Sequence, residues 1–143
     1  MSAQAGRVRR ARFNGLKAVR IVRSVLAIVL GFGFFLVIVQ MLAAFTGSLP
    51  NAAPGNYLLL SVTWTVAASV LSGYIVARIA GAHEFPHAAA VGMLMIGMSF
   101  VWMRQEGASQ PGWQQIAIAG CGPISAMIGA AIRVLAKARS KSA

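Results

Sequence analysis

Across positions 24–77 the chain carries no Asp, Glu, Lys, Arg or His. An ordinary water-soluble domain has about a quarter of its residues charged, so a stretch this long without charge is foreign to one. Two apolar runs lie inside it, at 25–45 and 57–77, and two more follow at about 86–103 and 113–132. About 20 apolar residues cross a hydrocarbon core roughly 30 Å thick. Lipid offers the backbone no hydrogen-bond partner, so each run is expected to be a helix that satisfies its own peptide groups. The first connection, 46–56, holds two prolines and two asparagines, and the links at 78–85 and 104–112 are equally brief. Short connections make neighbouring helices antiparallel. The expected fold is therefore all-α: an integral membrane four-helix bundle over 24–135, with a basic tail at 1–23 and another at 136–143. The first run exceeds the 7–15 apolar residues of a secretory signal and is read as an uncleaved anchor.

The charges that do occur are one-sided. There are thirteen basic residues against two acidic ones, Glu84 and Glu106, with 58% of all residues hydrophobic. Arg7, Arg9, Arg10, Arg12, Lys17, Arg20 and Arg23 precede the first span. Arg78 lies in the middle link, and Arg133, Lys137, Arg139 and Lys141 close the chain. Only Arg104 falls on the other side. Cations flanking spans mark the cytoplasmic face, so both termini and the middle link are expected there. Tyr57, Trp102 and Trp113 at the outer span ends, and Tyr74 near an inner one, fit interfacial anchoring. The basic groups flank apolar runs and come with no recognition motif, which argues against nucleic acid. Their expected partners are anionic inner-leaflet head groups, each cation near the surface adding about 1 kcal/mol.

Paired-carboxylate catalysis and oxygen-ligand metal cages need several Asp or Glu, which this chain lacks. No charged group sits in mid-span, where coupled transporters place one. Small multidrug transporters share the span number but depend on a carboxylate in the first span, and here only apolar residues and Gln40 stand there. The lone Cys121 permits no intrachain disulfide. His83-Glu84-Phe85-Pro86-His87 matches H-E-x-x-H, in which two histidines one helical turn apart bind zinc. Pro86 sits inside it as a helix starter, and no third ligand is at hand. Met93, Met95, Met98 and Met103 could in principle hold Cu(I) but read as apolar filler. No catalytic, cofactor-binding or metal-binding residue is assigned.

What the spans do offer is small and hydroxyl-bearing residues at helical spacing. Ser61, Thr65, Ser69 and Ser72 form a stripe on the second span, and Ala117, Cys121, Ser125 and Gly129 recur every four residues on the fourth. In lipid, where apolar burial does not drive helices together, such stripes mark packing faces. The sharper alternative is a polar seam lining a substrate path. Pro123 is expected to kink the fourth span.

Gly73-Tyr74-x-x-Ala77-Arg78-x-Ala80-Gly81, followed by His83 and then Pro86-His87-Ala88, resembles the cytoplasmic link of uncharacterised small four-span bacterial inner-membrane proteins; Arg78, His83, Glu84 and His87 are the polar residues of that link. The likeness covers the link and the span plan, and implies a multi-pass protein of that membrane without implying an activity. The same link is faintly similar to the Gly-x-x-x-Asp-Arg loop of major facilitator transporters, but Ala77 stands where the Asp belongs. The expected function is thus a non-enzymatic structural or accessory role, alone, as a homo-oligomer or in a larger membrane complex. The alternative is a small oligomeric channel or transporter using the second-span seam.

Overall fold

The computed structural model describes residues 2–47, 54–81, 83–106 and 112–142. They form four helices, α1 Ser2–Gly47, α2 Pro54–Ala80, α3 Glu84–Glu106 and α4 Gly112–Ser142. Each expected span lies within one helix, and each helix continues past it at both ends. The basic N-terminal segment is the first part of α1, in one unbroken helix with the span. The turn-rich stretches at 48–53 and 107–111 lie outside the described residues. All four helices contain a segment long and apolar enough to cross a membrane: Val19–Leu42, Leu59–Ala80, Glu84–Arg104 and Ile116–Ser140. By length and composition the chain is a multi-pass membrane protein.

Local chemistry sets the helix ends. Pro54 opens α2, where its missing N–H costs nothing because first-turn donors have no helical acceptor. Gly81 ends it with φ 68°, its N–H donating to the Ala77 carbonyl at 3.3 Å. That is a left-handed cap, a conformation glycine reaches without a Cβ clash. His83 follows with φ 54°, the one positive-φ non-glycine among the described residues. Glu84 then stands in the first turn of α3, where a negative charge meets the positive helix end. Pro123 lies within α4, which continues through it.

Side-chain size is sorted inside out. The largest fully buried side chains are Val76, Val91, Ser69 and Ser72; Ala27, Ala77, Ala88, Ala126 and Ala130 are wholly enclosed, and Phe35 and Met95 are the only large side chains in the core among the described residues. Leu30, Leu59, Trp64, Leu71, Phe100, Ile116 and Ile124 face outward. A protein folding in water would reverse this order. In lipid the outer Leu and Ile lose nothing by exposure, and close helix approach is what remains to be gained.

Glycines set that approach. The α2–α4 contact is the most extensive in the bundle. A Cβ on Gly73 would meet the Ala126 backbone, and one on Gly129 would meet the Val70 carbonyl and the Tyr74 N–H. Each helix thus presses its backbone into a notch on the other. Gly31 of α1 leaves room for Val76 of α2, and Gly92 of α3 lies 3.1 Å from Pro123 of α4, measured from its would-be Cβ. α2 and α3 each touch all three other helices, α2 the most extensively, whereas the backbones of α1 and α4 do not approach each other among the described residues. The bundle is built around α2.

Candidate functional site

Two groupings gather the polar residues. The first is the hydroxyl stripe of α2. Thr65 is 6% exposed, and Ser69 and Ser72 are fully buried, with Ser61 half-buried above them. Thr65 Oγ1 donates to the Ser61 carbonyl at 2.7 Å, and Ser69 Oγ donates to the Thr65 carbonyl at 2.7 Å. These are bonds to the preceding turn of the same helix, which let a hydroxyl sit in an apolar interior without a partner helix. Ser72 behaves differently: its Oγ crosses to the Gly31 carbonyl of α1 at 2.7 Å. On α4, Ser125 and Gly129 are buried and Cys121 is half-buried. A Cβ on Gly122 would lie 3.8 Å from Ser69 Oγ and 3.8 Å from Met95 Sδ, so Ser69 sits where α2, α3 and α4 converge. The stripe therefore divides, with Ser72 serving α1 and Ser69 serving the junction with α3 and α4.

The second grouping lies at the α2–α3 link. Helix α2 ends with carbonyls that have no helical donor, a locally negative end that cations stabilise. Two helices supply them. Arg23 of α1 donates from Nε to the Ile79 carbonyl at 2.6 Å. Lys137 of α4 donates from Nζ to the Gly81 carbonyl at 3.2 Å and to Glu84 Oε1 at 2.9 Å. A Cβ on Gly81 would lie 2.7 Å from the Arg23 guanidinium, so a larger residue there would push that side chain aside. Four helices thus meet at one end of the bundle through α2's last carbonyls and one carboxylate.

The H-E-x-x-H residues do other work in this arrangement. His83 lies outside α3 on a left-handed backbone, so the two imidazoles are not one turn apart on a common helix. His87 Nδ1–H donates to the His83 carbonyl at 2.7 Å, and Glu84 is engaged by Lys137. Among the described residues no three His, Cys, Asp or Glu side chains gather so as to hold a metal ion. Of the methionines, Met95 is buried and Met93 exposed, so these two lie on different faces of α3. Arg78 is exposed on α2.

Three residues that matter here read in the sequence only as topogenic cations: Arg23, Lys137 and Arg133. The Nε of Arg133 is buried without a hydrogen-bond partner. The available signal was that Gly129, Arg133 and Lys137 extend the α4 small-residue line at steps of four. Compared with protein-family models, curated proteins and solved structures, the chain matches none.

Proposed function

We propose that the protein is a non-enzymatic structural or accessory component of a bacterial inner membrane, with antiparallel neighbouring spans and both termini in the cytoplasm. The observation that carries the reading is the state of the seam. Thr65, Ser69 and Ser72 are buried and all three donate to carbonyls of the protein itself. Hydroxyls lining a path for solutes face water or substrate instead. A bundle whose polar groups are turned inward is suited to holding its shape and presenting its outer surface to lipid or to other membrane subunits. The orientation is supported by the cation bias, and the meeting of Arg23, Gly81, Glu84 and Lys137 at one end supports the up-and-down path. Its partners on this reading are anionic head groups and either further copies of itself or a larger complex, with no cofactor.

The rival reading, a small oligomeric channel or transporter, draws on Ser69 at the junction of three helices. Reconstituted protein separates the two. The accessory reading expects no solute flux above that of empty vesicles, and stable co-purification of a membrane partner from mild detergent. Selective flux abolished by Ser69→Leu would establish the rival instead.

A further inference from the structure

Gly129 of α4 packs on the Val70 carbonyl and the Tyr74 N–H of α2, so these residues lie at one level. Lys137 of α4 bonds the carbonyl of Gly81, which caps α2, and fixes a second level two turns on. Between them, one turn beyond Gly129, stands Arg133. One turn beyond Tyr74 on the facing ridge of α2 stands Arg78. The ridges Val70–Tyr74–Arg78 and Gly129–Arg133–Lys137 thus run side by side, which sets Arg78 and Arg133 at neighbouring levels of the two helices.

Like charges on neighbouring ridges repel each other, and an anion between them relieves that repulsion. The chain supplies none on either ridge: among the described side chains the one carboxylate at this end, Glu84, is bonded to Lys137. A buried guanidinium nitrogen left without an acceptor is destabilising, and Arg133 Nε is such a donor. The fork of a guanidinium matches the oxygens of a phosphate. In the turns leading up to this level the same helices expose Leu71, Ile128 and Ile132, an apolar surface that acyl chains would cover.

We propose that Arg133 and Arg78 hold the phosphate of one anionic phospholipid at the link end of the α2–α4 groove. The site fits a phosphodiester head group with its chains along the two helices, and not a freely soluble anion. It stands whether the protein is an accessory subunit or a channel, because it requires only that the chain sit in a bilayer.

The test uses the full-length protein in nanodiscs of phosphatidylcholine containing graded phosphatidylglycerol, with bound anionic lipid counted by native mass spectrometry. The expected result is one tightly held phosphatidylglycerol, its affinity lowered about tenfold by Arg133→Gln and by Arg78→Gln. Arg133→Lys keeps the charge but loses the fork, so it should fall between wild type and Arg133→Gln. Arg139→Gln, at an exposed cation of the same end, should change affinity less than twofold. An equal loss with Arg139→Gln would overturn the proposal in favour of diffuse attraction. Displacement of the lipid by inorganic phosphate at millimolar concentration would overturn it in favour of a soluble ligand. Equal destabilisation by Arg133→Gln in pure phosphatidylcholine and in phosphatidylglycerol would place the acceptor of Nε within the protein and also overturn it.

Discussion

Lys137 and Glu84, fifty-three residues apart in sequence, meet at 2.9 Å and tie the end of α4 to the start of α3. The lysine side chain is 39% exposed and the glutamate 11%, so the pair is partly screened by solvent. Exposed pairs contribute roughly 0.2–1 kcal/mol, and this one also serves the Gly81 carbonyl. Lys137→Met should therefore destabilise the bundle by about 1 kcal/mol, and Glu84→Gln by less. A double-mutant cycle on thermal unfolding in detergent should show positive coupling between them. Additive losses would mean that Lys137 acts only through the α2 carbonyl.

Glycine substitutions should divide by location. A Cβ at Gly73 or Gly129 meets backbone that cannot move aside, whereas at Gly33 and Gly97 nothing lies within 4 Å. Gly73→Ala and Gly129→Ala should each destabilise by about 1–3 kcal/mol, the range for overfilling a packed interior. Gly33→Ala and Gly97→Ala should be neutral or stabilising by up to about 1 kcal/mol, through helix propensity alone. Thermal midpoints of the four variants, compared in one detergent, check this division. A neutral Gly129→Ala would refute the close α2–α4 crossing.

The seam serines should also differ although both are fully buried. Ser72 donates to another helix and Ser69 to its own preceding turn. Ser72→Ala leaves α1 and α2 without their shared bond, and interhelical bonds of this kind in membranes average about 0.6 kcal/mol. Ser69→Ala removes a donor from a carbonyl that the helix already bonds, and should cost less. The order of the two unfolding free energies is the readout, and reversal would count against the packing role assigned to Ser72.

Four long apolar helices and the concentration of small residues on α2 and α4 were legible in the sequence, because hydropathy and spacing of four are local properties. What the small residues do was not. Ser61, Thr65, Ser69 and Ser72 share a face at helical spacing, yet Ser72 turns to α1 while Ser69 sits at the junction of α3 and α4. That division depends on where the neighbouring helices cross. The same holds for the cations: Arg23 and Lys137 resemble every other topogenic residue until α2 ends between them and exposes its carbonyls. His83 and His87 showed the opposite failing, since a motif match says nothing of the left-handed turn that removes His83 from the helix.

The proposed up-and-down topology, with both termini cytoplasmic, yields the broadest prediction. With both termini and the link containing His83 in the cytoplasm, a cysteine at Ala52 or Ala108 should react with an impermeant thiol reagent added to intact cells. One at Ala5 or Ser142 should react only after the membrane is opened. Cys121, half-buried within α4, is replaced by serine beforehand so that the introduced thiol alone reports. The expectation rests on the cation bias and on the bonds from Arg23 and Lys137 to the end of α2, which require the tail-proximal part of α1 and the end of α4 to share a face. Helix α3 is the shortest of the four, begins with Pro86 in its first turn, and is the element on which the count depends. If it dipped back without crossing, the C-terminus would lie outside, on the side disfavoured by Arg133, Lys137, Arg139 and Lys141. Labelling at Ser142 in intact cells would establish that re-entrant path. It would also contradict the arrangement in which Arg23 and Lys137 both reach the end of α2.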